Sequence, residues 1–222
     1  MKILSFADLH APFLKRGFLS WVKELADWYQ PDEVVIPGDL TDNHALGRWP
    51  KHPDADNIWT ENSLAQEQLA ELYTAFPDKV KLIMGNHDDR LKKRLYEIGI
   101  PDQFCPAYRE LFSIPESWEI YEDSYEVDGV LYYHGHKKGG VTPALALAKV
   151  IGQSVVCGHH HGTAGVHRIN PNGNPLWGMD LGCGVDIKSY GMYYAKETLM
   201  QPILGCGTVE DGLYPKHYVM GE

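Results

Sequence analysis

Five short stretches of this sequence carry the residue types that bind metal ions and move protons. They are Asp8-Leu9-His10, Gly38-Asp39-Leu40-Thr41-Asp42, Gly85-Asn86-His87-Asp88, His134-Gly135-His136 and Gly158-His159-His160-His161. Histidine is the commonest metal ligand and the acid-base residue of neutral pH. The chain has 11 His, and seven of them (His10, His87, His134, His136, His159, His160 and His161) fall in these stretches. A mixed set of carboxylate, amide and imidazole donors suits borderline divalent ions such as Mn, Fe or Zn. An aspartate can bridge two cations, which a neutral imidazole cannot, and an asparagine oxygen adds a donor without adding charge. Alone, an Asp-x-His pair is ordinarily a loop with a hydrogen-bonded histidine, and a Gly-Asp after a strand is ordinarily a turn. The joint occurrence, each at the end of an apolar run, is what points to a site.

Those apolar runs read as strands. Residues 2–7, 33–36, 80–84, 130–134 and 154–157 are short and mostly apolar. In open α/β sheets, sites form beyond the carboxyl ends of the strands, so five polar motifs at five such ends are expected to converge. Glycines at 38, 85, 135 and 158 let the backbone turn off each strand and approach the site closely. Between the strands, residues 17–29 repeat Phe18, Val22, Leu25, Ala26 and Tyr29 at helical spacing, with Pro31 as the stop. Thr60 is expected to cap a helix over 60–76 with Leu64, Leu69, Leu72 and Ala75 on one side. Residues 88–98 predict a helix with Leu91, Leu95 and Ile98 inward, ended by Gly99. Residues 41–57 show no period and read as a long loop, and 101–118 as short helices. Asp128-Gly129 marks a hairpin between 124–127 and 130–134. Thr142-Pro143 opens a helix that Gly152 closes. From Ala164 onward the chain reads as strands with turns at Asn172-Gly173 and Asp211-Gly212. The pattern predicts one α/β domain over 1–222 with two sheets.

Length and composition bound the rest. At 222 residues, 44% hydrophobic and 23% charged, the chain can bury a core without disulfide staples and is not disordered overall. Its net charge of −10 argues against a broad nucleic-acid coat, which needs clustered basic residues to replace counterions. There is no apolar run of about 18 residues and no signal-peptide pattern at the N-terminus. The expected location is therefore cytoplasmic, with Cys105, Cys157, Cys183 and Cys206 as free, mostly buried thiols.

The order Asp-x-His, Gly-Asp-x-x-Asp, Gly-Asn-His-Asp, His, Gly-His-x-His resembles that of the calcineurin-like metallophosphoesterases, from Asp8 to His161. The resemblance implies a two-sheet β-sandwich flanked by helices, a four-layer αββα fold, with a dinuclear metal site above the strand ends. It implies that Asp8, His10 and His161 bind one metal, that Asn86, His134 and His159 bind the other, and that Asp39 bridges both. His87 would stand beside the metals and assist the leaving group, while Asp42 and Asp88 would orient the histidines by hydrogen bonds. The cofactors implied are two divalent ions, with Mn foremost and Fe, Zn or Ni as alternatives. Two ions roughly 3.5–4 Å apart can clamp an in-line phosphoryl displacement and make hydroxide available near neutral pH.

The protein phosphatases of this superfamily carry Arg-Gly after the second motif, where this chain has Asn43-His44. The closing Gly-His-x-His looks more like the phosphodiesterase branches. The expected activity is therefore hydrolysis of phosphate esters, with diesters ahead of monoesters. The alternatives are a nuclease of short strands, a phosphomonoesterase or protein phosphatase, and a non-enzymatic scaffold of the same fold. A scaffold would be expected to lose ligands, and none is missing. The expected substrate is a small phosphate ester or a nucleotide, with no membrane and no extended duplex as partner; a homo-oligomer stays open. Arg90 and His44 are the substrate-contact candidates, with Arg48 and Trp49 as walls and Lys137 and Lys138 as further cations. Tyr190, Tyr193 and Tyr194 could stack on a base, although aromatic residues in a strand-rich tail are more often core.

Overall fold

A computed structural model describes residues 1–48, 50–197 and 200–221. Trp49 therefore lies outside the described residues, as does the side chain of Tyr194. Among the described residues eleven strands form two sheets. The first holds β1 (Lys2–Ser5), β2 (Glu33–Pro37), β3 (Val80–Ile83) and β4 (Glu119–Tyr121) in parallel. β10 (Gly205–Glu210) and β11 (Tyr214–Val219) add antiparallel strands beside β1. The second sheet runs in the order β5 (Ser124–Val127), β6 (Val130–Tyr133), β7 (Ser154–Cys157), β9 (Leu176–Leu181) and β8 (Ala164–Ile169). Within it β6, β7 and β9 are parallel.

The strand alternation explains the layers. Ile3, Val35, Ile83 and Val209 turn one way and pack on Val130, Tyr132, Val156 and Met179 of the facing sheet. Their neighbours Leu4, Val34, Ile36, Val80 and Leu82 turn the other way, onto helices α1 (Phe18–Tyr29) and α2 (Ile58–Ala75). Val155 and Cys157 of β7 do the same under α4 (Pro143–Ile151). The result is helix, sheet, sheet, helix, the two-sheet α/β architecture expected from the sequence. The parallel connections leave the carboxyl ends of β1, β2, β3, β6 and β7 on one edge of the sandwich. Among the described residues no helix is long and apolar enough to cross a membrane.

Three local expectations are corrected. Helix α2 begins at Ile58 and is capped by Asn57, whose side chain accepts the Trp59 and Thr60 amides. Thr60 sits inside the helix, and Leu64 faces outward while Glu61, Ala65, Leu69 and Leu72 form the buried stripe. Helix α3 (Arg90–Glu97) buries no residue fully, and Ile98 is exposed, because α3 runs along the rim rather than on a sheet. β1 ends at Ser5, since the chain is already leaving the sheet toward Asp8.

The cap gives a direct test. Asn57→Ala removes two bonds to otherwise unsatisfied amides and should cost about 1 kcal/mol in urea unfolding. Thr60→Ala, which loses one exposed bond from Asn57, should stay within about 0.5 kcal/mol. The reverse order would contradict the assignment of the cap.

Candidate metal centre

At the shared edge, the five motifs meet. One donor group joins Asp8, His10 and His161, and another joins Asp39, His134 and His159, the ligand atoms of each lying within 4.8 Å of one another. The His10 and His161 Nε2 atoms face each other at 3.1 Å, and His161 Nε2 is 3.2 Å from an Asp8 oxygen. In the second group His134 Nε2 lies 3.2 Å from Asp39 Oδ2, 3.0 Å from Asn86 Oδ1 and 3.3 Å from His159 Nδ1. Asp39 Oδ2 also stands 3.7 Å from His10 Nε2, so one carboxylate looks toward both groups. His87 belongs to a third grouping with His10 and Asp39.

The histidines are held from behind. His134 Nδ1 donates to the Pro37 carbonyl at 2.8 Å, which turns its Nε2 into the site. His10 Nδ1 lies 3.1 Å from the Asp42 carboxylate, which does the same for that ring. Metal-binding histidines are typically fixed in this way through their second nitrogen. Backbone bonds lock the loops to one another: Asp8 N–H donates to Gly38 O, and His10 N–H to Asp39 O. The His159 amide donates to Asp8 and the His87 amide to Asp39. Asp8, His10, Asp39 and His159 all adopt positive φ, a conformation that Asp and His tolerate better than most residues. Gly85 carries no side chain because a Cβ there would collide with the Asp39 backbone and carboxylate.

The electrostatics follow from burial against neighbours. Burial alone would raise Asp39 and Asp42, yet the surrounding histidines hold both well below the usual carboxylate range. Burial would lower His10 and His134, but the facing aspartates raise them to about 10 and about 9. His159 is lowered to about 4 by burial and by His134. Buried, anionic oxygens and imidazole nitrogens converging on common points are a donor set that fits divalent cations, with protons holding those nitrogens otherwise.

The remaining candidates separate. Arg90 Nη2 donates to His87 Nε2 at 2.9 Å, and Nη1 reaches the Asp42 carbonyl and carboxylate. His87 Nδ1 therefore donates to the Asp42 carbonyl at 3.1 Å. Asp88 is corrected: among the described residues it bonds no histidine. Its oxygens accept the Thr41 and Gly85 amides and the Tyr108 hydroxyl, so it ties the second and third motifs together. His44 lies off the metal groups on a 3₁₀ turn, its ring edge-on to Phe13 and Tyr190. Arg48 pairs with Glu97. Lys137 turns over the Tyr133 ring, and Lys138 is exposed. Tyr190 and Tyr193, expected more as core, line a cleft shared with His87 and Arg90.

Two residues escaped the sequence reading. Tyr108 lies in the stretch read as short helices, and nothing in the sequence links it to Asp88. Glu61 accepts the His44 and Ala45 amides at 2.5 and 2.7 Å. A lone carboxylate on the stripe with Ala65, Leu69 and Leu72 was its available signal.

A family model for calcineurin-like phosphoesterases matches residues 1–178. The chain belongs to the calcineurin-like phosphoesterase family, whose members are metal-dependent. It is 30% identical over 213 residues to the Gene 54 protein of Mycobacterium phage L5, covering 84% of this chain and 80% of that protein. The Gene 54 protein of Mycobacterium phage D29 is 28% identical over 212 residues, with the same coverage. Among solved structures, a metallophosphoesterase from Sphaerobacter thermophilus superposes with a TM-score of 0.48 at 13% identity, over 100% of this chain and 88% of that one.

The histidine shifts set a sign for metal binding. At pH 7 His10 and His134 hold protons, because their pKa values are raised above 6.5. A ligating nitrogen must be free, so Mn binding should release protons, and affinity should rise with pH until these groups are neutral at about 9 to 10. Each displaced proton makes about a tenfold change per pH unit. Calorimetry in buffers of different ionisation enthalpy should show this release at pH 7; none would contradict the assigned charge state.

Proposed function

We propose that this chain hydrolyses phosphate esters, with diesters favoured, using two divalent ions held in the two donor groups that share Asp39. The observation that carries this reading is the sharing itself: Asp39 Oδ2 stands between His10 and His134, each fixed from behind by Asp42 or Pro37. Asp8, His10 and His161 would hold one ion, and Asn86, His134 and His159 the other. Such a pair supplies Lewis-acid polarisation of the phosphoryl oxygens and a nucleophile at neutral pH.

The chain's own residues do the rest. Asp39 holds the two halves of the site at a fixed separation. His87 faces the site beside Asp39 and is the group that hands a proton to the departing alcohol. In the present geometry Arg90 occupies His87 Nε2. A substrate phosphate would draw the guanidinium to its own oxygens through a charge-assisted pair, which would free Nε2 to take up a proton from solvent and pass it to the departing oxygen. Asp42 holds His10, His87 and Arg90 in register through both its carboxylate and its carbonyl.

The diester preference is supported by charge. Arg90 is the guanidinium in contact with His87, whereas Lys137 is turned onto Tyr133. A diester carries one charge where a monoester carries about two, so it needs less cationic help in a chain of net charge −10.

With Mn held constant, kcat/KM for bis-p-nitrophenyl phosphate should equal or exceed that for p-nitrophenyl phosphate. A tenfold monoester preference, about 1.4 kcal/mol in the barrier, would overturn the diester reading, and absence of Mn-dependent turnover on both would overturn the hydrolase reading. His87→Ala should keep its metals and lose about 10²–10⁴-fold in turnover on esters with poor leaving groups. The loss should be smaller with nitrophenolate, which needs little protonation; equal losses would argue for a positioning role instead.

A further inference from the structure

Beside the metal centre the cleft lined by Tyr190 and Tyr193 encloses about 460 Å³, with His87, Asp42 and Arg90 as its floor. Its walls come from residues 44, 47 and 50–53 and from residues 190, 191 and 193. These walls carry flat rings. His52 and Tyr190 lie nearly parallel, 19° apart in plane with centroids at 6.3 Å. Tyr193 stands edge-on to His52 at 5.0 Å, and His44 edge-on to Tyr190 at 5.4 Å. The Tyr190 hydroxyl is anchored by Asp56, which fixes the ring's plane.

The cleft is also locally cationic within an acidic chain. Arg90 and Lys51 both line it. Lys51 is lowered by burial and by the positive charges of Arg90 and Arg94. Its ammonium donates to the His44 and Gly47 carbonyls, which pins the loop that carries the rings. Glu61 holds the same turn from beneath. A wall of flat rings next to a guanidinium, with a phosphoester site at its end, matches a ligand that is planar at one end and anionic at the other.

We infer that this cleft is a nucleobase subsite, so that the phosphate ester acted on is a nucleotide whose base lies against Tyr190 and His52 while its phosphate reaches Arg90 and the metal centre. The inference rests on the phosphoesterase reading for the placement of the phosphate, and on the cleft itself for the base. Every base presents a π-face, so stacking on aromatic rings is tolerant of base identity. The affinity it adds is read as the difference between a nucleotide and its sugar phosphate. Stacking on one such ring is commonly worth at least several-fold in affinity.

The test is binding, so it does not depend on turnover. AMP and ribose 5-phosphate are titrated calorimetrically into the Mn-loaded chain. AMP should bind at least tenfold more tightly. Tyr190→Leu and His52→Leu should each shrink that gap several-fold while leaving ribose 5-phosphate affinity in place. Tyr190→Phe, which keeps the ring and its other packing contacts and loses only the hydroxyl's two bonds with Asp56, should retain the gap. Melting temperatures verify that the variants are folded, and His52→Leu stands in if Tyr190→Leu is not. Equal affinities in the parent chain, or a gap that both leucine variants leave unchanged, would overturn the subsite. A clear gap without turnover of either nitrophenyl ester would leave the base subsite standing and sink the hydrolase reading. Turnover without a gap would do the opposite.

Discussion

Burying Asp8, Asp39 and Asp42 around the His10 ring is the constraint on which the rest of this structure depends. Removing a carboxylate from water costs several kcal/mol unless charge and hydrogen bonds are supplied in its place. Here they are supplied by histidines and by backbone amides. His10, His134 and His161 face the carboxylates, and the amides of His87 and His159 donate to Asp39 and Asp8. The same arrangement makes the raised His10 and His134 exchangeable: a divalent ion offers the positive charge that the imidazolium protons otherwise provide.

The fold exists in a form that delivers these groups to one edge. Parallel β1, β2 and β3, and parallel β6 and β7, all end on the same side of the sandwich. Apolar packing of the two inner faces sets the distance between the ends. The loops then leave the strands in conformations that cost energy, since Asp8, His10, Asp39 and His159 have positive φ. Non-glycine residues keep such conformations only where their surroundings over-determine them. The bonds from Asp8 N–H to Gly38 O and from His10 N–H to Asp39 O, and the Asp88 clamp on Thr41 and Gly85, are those surroundings.

Much of this was legible in the sequence, for a physical reason. Strands buried on both faces read as short apolar runs, and a glycine or aspartate at their ends marks where the chain must turn. That located Asp8, Asp39, Asn86, His134 and His159 without any tertiary information. Strand-helix alternation in the first part of the chain and strand-rich sequence after it likewise announced the two sheets. Partner choice was not legible. Asp88 was expected to orient a histidine, but a carboxylate bonds whichever donors the folded loops bring near, and these are Thr41, Gly85 and Tyr108. The helix at 88–98 has a genuine apolar repeat, yet whether a neighbour covers it depends on the sheet's edge, which the local pattern does not encode. Glu61 and Tyr190 act through loops distant in sequence, 16 to 17 residues in one case and 134 in the other.

The central claim is that Asp39 joins two metal sites into one. The most direct measurement is Mn content by elemental analysis after equilibration and desalting, on the parent chain and on Asp39→Asn. Two ions per chain falling toward none, with both sites weakened together, is the result that follows from a shared carboxylate. Loss of a single ion, or an undiminished content in the variant, would contradict it.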